Sequence, residues 1–306
     1  MRDPHSDHDT LTTLDRLLRH NRERFDGSYD GGLSNHLSMG LVALARLGAD
    51  GARLEAFFEA YAPRLDPVAR ASTTVAEPEV NARLSALAPQ VGSGAFHGLI
   101  RVAYASMVGD AAELSAALDF FGSFPPMRPL DAVGSERDLG VLAASLADSG
   151  MAPPPGVNIT TRLAEVMARP AFQGVVARLA VDEGSLDRLS RFGAHLWLAA
   201  GDFASLHVLT GAHAIRTLGP RWADPIAPVR AAAVAGLGCY VLAGCPTLGP
   251  VEGLPVDDWE TVRVRALASN DEHLCKLVLS CMDEAASTGD PIYAAVATRV
   301  SRRGEA

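Results

Sequence analysis

Apolar side chains recur every three or four residues through nearly the whole chain, and runs of alternating β-branched residues are missing. This pattern constrains the fold more than any other feature of the sequence. It predicts helices packed on helices, an all-α chain with no sheet of consequence. Leu11, Leu14, Leu17 and Leu18 set the spacing in residues 10–25, and residues 34–47 repeat it, with Gly48 as a stop signal. Further helices are expected near 52–62, 79–89, 93–107, 110–121, 135–148, 158–168, 185–200, 203–217, 226–243, 257–269, 270–286 and 290–301. Alanine, the strongest helix former, is abundant.

One connection recurs. Gly109-Asp110, Gly201-Asp202 and Gly289-Asp290 each follow one helical segment and open another. Glycine takes the left-handed conformation that ends a helix, and aspartate accepts from the free N–H groups that begin the next. These turns predict αα-hairpins and a stack of antiparallel helices. No fixed period accompanies them, so this is not a repeat array. Pro-rich breaks fall at 124–129, 151–156 and 246–255, and helical pattern continues across all three. The expectation is a single all-helical domain over 1–306, with long Pro/Gly-rich loops and a disordered polar start over residues 1–9.

Composition excludes several classes. Asp and Glu number 36 against 27 Lys and Arg, a net charge of −9, which argues against a nucleic-acid partner and a polybasic membrane surface. Apolar residues make up 48% of the chain and charged ones 21%, so it is not disordered. No apolar run reaches membrane length, and the first thirty residues lack the apolar core of a signal peptide. Cys239, Cys245, Cys275 and Cys281 show no CxxC spacing and read as buried thiols of a reducing compartment, which makes cytoplasmic the expected location. There is no dinucleotide fingerprint, P-loop, nucleophile elbow or HExxH. The stretch Val91-Gly92-Ser93-Gly94-Ala95 lacks a third glycine and reads as the loop that starts a helix at His97.

Nine histidines remain to be placed. His5 and His8 lie in the polar start. His20 sits beside Arg19 and Arg22 on a charged face, with solvent as its expected partner. His36, His97, His195, His207, His213 and His273 all lie in apolar helical segments. One such histidine is usually a satisfied core residue; six are harder to dismiss. His36 shares a helix face with Gly40 and Ala43, which leave space beside it. The face of His97 continues to Arg101 and Tyr104, two polar groups that are either a solvated helix edge or candidate catalytic residues. His207 and His213 are six residues apart, about 240° around a helix, so at most one of them should point into a shared site.

The basic residues sharpen this. Lys276 is the only lysine among the 27 cations. It lies three residues after His273, about 60° away on one helix face, amid Leu274, Cys275, Leu277, Val278 and Leu279. A charge there is costly. A snorkelling lysine would meet the pattern. Arginine, used everywhere else, cannot be deprotonated, whereas a buried lysine can become a neutral nucleophile. Such an amine can form a Schiff base. It can also add carbon dioxide to give a carbamate, an anionic oxygen ligand for a metal, and the adjacent histidine favours that outcome.

Taken together, the motifs Asn35-His36-Leu37 with Ala45-Arg46-Leu47-Gly48-Ala49, Phe96-His97-Gly98-Leu99-Ile100, Leu206-His207-Val208-Leu209-Thr210 and Asp271-Glu272-His273-Leu274-Cys275-Lys276 resemble, in order, those of the questin oxidase-like family. The resemblance implies an all-helical fold and an oxidoreductase that oxygenates aromatic polyketides such as anthraquinones without flavin, by Baeyer–Villiger-like or ring-opening chemistry. It implies non-haem Fe(II) held by His36, His97, His207, His273 and a carboxylated Lys276, with a small aromatic substrate and dioxygen as partners. His195 and His213 stand as candidates to support those ligands, and Asn35, Asp271 and Glu272 as acceptors for their second N–H, although Asn270 or Asp271 would also cap a helix. An external reductant such as NADPH is compatible. Two other readings compete. A metal-dependent hydrolase with a carboxylated lysine would normally need an HxH pair on a strand, and a non-catalytic helical scaffold would need no buried histidines.

Overall fold

The computed structural model describes residues 4–68, 77–127 and 134–303. Among them are fifteen α-helices and one two-stranded hairpin, so the all-α expectation holds. The first three helices are α1 (Pro4–Arg24), α2 (Leu37–Leu47) and α3 (Gly51–Tyr61). Between α1 and α2 the strands β1 (Ser28–Tyr29) and β2 (Leu33–Ser34) pair antiparallel and turn the chain back. Next come α4 (Glu77–Ala86), α5 (His97–Val108), α6 (Ala111–Gly122), α7 (Leu139–Asp148), α8 (Ile159–Ala168) and α9 (Pro170–Val176). The rest are α10 (Ser185–Ala200), α11 (Phe203–Thr217), α12 (Ile226–Leu242), α13 (Trp259–Ala268), α14 (Glu272–Thr288) and α15 (Ile292–Arg303).

The three Gly-Asp pairs do what their chemistry predicts. Gly109, Gly201 and Gly289 adopt φ of +72°, +60° and +71°. Asp110 accepts from the N–H groups of Ala112 and Glu113, Asp202 from Ser205 and Asp290 from Ile292. Each pair joins two helices that pack side by side: α5 with α6, α10 with α11, and α14 with α15.

Two expectations need correcting. Of the stretch 1–9, expected to be disordered, residues 4–9 form the start of α1, and residues 1–3 lie outside the described residues. His20 does not face solvent alone; its ring packs against Phe25 and Phe58. The break at 124–129 is irregular as far as Met127, and its last two residues lie outside the described residues.

Two layers matter for the site. α12 is buried on nearly every side, which fits its uniformly apolar sequence. Beside it, α2, α5, α11 and α14 form a closed ring of contacts: α2 packs on α5 and α14, and α11 packs on α5 and α14. The outer helices α6, α10 and α15 back that ring. One continuous hydrophobic core joins residues from α1 to α15.

Candidate metal centre

Each helix of the inner ring brings one histidine to its N-terminal end. His36 immediately precedes α2, His97 is the first residue of α5, His207 the fifth of α11 and His273 the second of α14. Four helix N-termini therefore gather at one place. Their partial positive charges favour anions in that space.

His36 is fixed by its backbone. The Asn35 side chain accepts from Leu37 N at 2.9 Å and donates to Asn21 Oδ1 at 3.0 Å and Asp26 O at 2.9 Å, while His36 N donates to the Tyr61 hydroxyl at 3.3 Å. The space at Gly40 does not belong to His36: a Cβ there would lie 2.5 Å from the Phe57 ring and 3.3 Å from Glu272 Cβ. His97 follows three residues in the left-handed region, Gly94, Ala95 and Phe96, at φ of +57°, +53° and +66°. Only glycine takes that conformation cheaply, at a cost of roughly 1–2 kcal/mol for each other residue. The turn sets the Gly94 carbonyl against His97 Nδ1. His207 Nδ1 meets the Phe203 carbonyl at 2.6 Å. At His273 the backbone N–H donates to the capping Asp271 at 2.8 Å.

The four rings form a closed circuit. Centroids are 4.8 Å apart for His36–His97, 4.5 Å for His97–His207, 5.8 Å for His207–His273 and 4.7 Å for His273–His36. Carbonyls hold Nδ1 of His97 and His207, which leaves Nε2 as the free nitrogen of each ring. Nε2 of His36, His207 and His273 is buried with no hydrogen-bond partner, and His36 lacks one at either nitrogen. Buried polar atoms are rarely left so. Burial pushes His36, His207 and His273 well below the usual histidine range and His97 to about 4, so all four are neutral, the state in which imidazole binds a metal.

Lys276 completes the group. It is 1% exposed, and its charge is felt at all four imidazoles. Burial lowers it to about 8 against the opposing pull of Glu272. Glu272 places Oε1 3.5 Å from His36 Nδ1 and 3.4 Å from His273 Nδ1. His36, Glu272 and His273 can bring one donor atom each within 4.8 Å of one another. The donor set of neutral imidazoles, a carboxylate and a lysine amine suits a divalent transition metal.

The remaining candidates fall elsewhere. Arg101 and Tyr104 are not a solvated edge; both are buried. The Arg101 guanidinium sits over Phe120, 5.1 Å from its centroid, with no partner for Nε or Nη1. The Tyr104 hydroxyl lies 3.5 Å from the Lys276 carbonyl. His213 points away from His207, as the spacing predicts: it bonds Ser280 at 3.1 Å and Asp283 at 2.9 Å. His195 lines a surface groove of about 500 Å³ with Arg188, Phe192 and Leu248. Neither supports the four-histidine group. Of the acceptors, Glu272 is in place, Asp271 caps α14, and Asn35 serves the backbone.

Sequence reasoning missed Phe203 and Arg64. Phe203 packs tilted or edge-on against three of the histidines, and its spacing of four from His207 is the signal that could have found it. Arg64 is linked to the site only through the fold, by Tyr61, over whose ring it stacks and whose hydroxyl accepts from His36 N. The sequence matches no protein-family profile and no curated protein.

Proposed function

We propose that the protein is a non-haem iron oxygenase acting on an aromatic, polyketide-like substrate, with His36, His97, His207, His273 and a carboxylated Lys276 as the metal-holding residues. One observation carries this reading: four neutral imidazoles from four helices, three of them buried, face one another, and His36, His207 and His273 hold unpartnered Nε2 atoms, with the only lysine in the chain buried one helix turn from His273. The family resemblance of the four motifs supports the reaction class.

The chain's own residues do three things. The Gly94 and Phe203 carbonyls fix the tautomers of His97 and His207. Burial supplies a neutral fraction of Lys276 near pH 8. That amine adds to carbon dioxide: the N–C bond forms, a C–O electron pair moves to oxygen, and one proton leaves. The carbamate so formed is an anion in a place where four helix N-termini favour one. Iron, when bound, supplies the one-electron chemistry that dioxygen needs to react with a closed-shell arene. An external two-electron reductant such as NADPH balances the insertion of one oxygen atom against reduction of the other to water.

A second ligand set has its own support. His36, Glu272 and His273 would form a two-histidine, one-carboxylate triad, which also suits iron oxygenases. Purified protein should hold about one iron per chain. With labelled bicarbonate, a ¹³C carbamate resonance should appear and be absent in K276R. Loss of iron in K276R with only a roughly 10–100-fold weaker affinity in E272Q supports the carbamate set, and loss of iron in E272Q with retention in K276R supports the triad. Protein that binds no metal overturns both.

A further inference from the structure

The four-histidine group has one side open to water. His36, His97 and His207 are buried, whereas the His273 side chain keeps 22% of its surface. Against that ring lies Phe203, with centroids 5.2 Å apart. The same phenyl ring is 4.3 Å from His207 and 5.9 Å from His97. Yet Phe203 is 45% exposed. A lone exposed apolar residue is ordinary on a protein surface. This one packs on His273, the one partly exposed ring of the four among the described residues, at the first position of a helix that follows the left-handed Gly201. It offers an aromatic face at the threshold of the site.

A cation stands one side chain away from His36, over the ring of Tyr61. The Arg64 guanidinium is exposed, stacks 4.5 Å over the Tyr61 ring and donates to the Tyr29 hydroxyl at 3.3 Å. Among the described residues no carboxylate lies within ion-pair distance of it. Tyr61, over which it stacks, accepts from the His36 backbone N–H at 3.3 Å and so ties the guanidinium to the histidine group. Two tyrosines hold it in one orientation, which is the preorganisation an anion-binding guanidinium needs.

We infer that Phe203 and Arg64 select the substrate of this site: a planar aromatic anion that stacks its ring on Phe203 and turns an ionised acidic oxygen toward Arg64. Stacking brings the arene beside His273, the one ring of the four that meets solvent. The arginine distinguishes an acid from its ester, and the phenyl distinguishes a flat ring from an aliphatic chain. The inference rests on the metal-site reading above and deepens it.

The test is a fluorescence titration of the iron-loaded protein, without oxygen, with 1-hydroxy-2-naphthoate and its methyl ester. F203A and F203L should each weaken both probes at least tenfold while iron content stays at the wild-type level, and F203W should restore binding. R64Q should weaken the carboxylate about tenfold and leave the ester unchanged, with R64K recovering part of the loss. The inference is overturned if iron-loaded wild-type protein binds neither probe, if F203A and F203L bind both as tightly as wild type, or if R64Q weakens both probes equally. Failure to bind iron overturns the metal reading instead; the same titration on metal-free protein then decides the stacking by the same criteria.

Discussion

A buried lysine in a protein that otherwise uses arginine is costly to keep. Lys276 gives up the hydration of its amine and lies within ion-pair distance of no carboxylate among the described residues. If the amine exists for ligation, removing it should trade function for stability. K276M, which keeps the length and loses the charge, should stabilise the metal-free protein by about 1–2 kcal/mol and abolish iron binding. Urea unfolding with a parallel metal assay checks both halves; unchanged iron content would refute the ligand role. Glu272 invites a gentler test. Its carboxylate faces Nδ1 of two of the histidines, and such outer acceptors typically govern metal affinity by 10–100-fold. E272Q should therefore weaken iron binding by about that factor without changing the fold, as measured by competition with a chelator of known affinity. This residue was half legible in the sequence, since its neighbourhood to His273 is local. Its approach to His36 is not, because 236 positions separate the two and only the packing of α2 on α14 joins them.

Among the elements, the left-handed turn before α5 stands out. Three consecutive residues occupy a region that only glycine enters freely, and together they aim His97. A Cβ at Gly94 would lie 2.2 Å from the Phe124 ring, in addition to the unfavourable φ. G94A should therefore cost roughly 2–4 kcal/mol and lower iron affinity at least tenfold, because the carbonyl that holds His97 moves with the turn. A95G should be nearly neutral, with relief of strain offset by the lost methyl and a more flexible unfolded chain, whereas A95V should cost at least about 2 kcal/mol. Thermal melts of the three variants rank these outcomes; equal melting temperatures would show that the turn stores no strain. The helices themselves were readable from periodicity, and the Gly-Asp hairpins from capping chemistry, because both depend on nearest neighbours in sequence. The short α9 was not, since seven residues with two buried anchors, Phe172 and Val176, give too little periodicity to register. The gathering of four N-termini was not readable either: each histidine's position in its helix is local, but their meeting depends on the tertiary ring.

At the scale of the whole molecule, the candidate centre ties together four helices drawn from residues 36 to 288, and it does so with groups that resist protonation. That makes the fold acid-sensitive in a definite direction. In the unfolded chain each imidazole titrates near 6.5, whereas in the folded, metal-free protein His97 titrates at about 4 and the other three are depressed as well. Below pH 6.5 the unfolded state therefore binds protons that the folded state refuses. Each such histidine removes about 1.4 kcal/mol of stability per pH unit as the pH falls from 6.5 toward its folded value. Lys276 acts in the same direction in a higher window: with a folded value of about 8 against 10.5, it adds stability as pH rises between them. Glu272, raised by burial, opposes the histidines near and above pH 4.5 and offsets part of one of them. Metal-free protein should thus lose several kcal/mol between pH 7 and pH 5, well beyond what one histidine accounts for, and a double variant H36L/H207L should halve that loss. Iron should raise the midpoint at neutral pH by mass action, about 2.7 kcal/mol at a hundredfold excess over the dissociation constant, and this protection should fade on acidification as protons compete for the same nitrogens. Urea midpoints at pH 7.5, 6.5, 5.5 and 5.0, with and without iron, measure the whole set. A pH-independent midpoint in the metal-free protein would mean that the four imidazoles are already hydrogen-bonded or solvated when folded, and the case for a shared metal would fall with it.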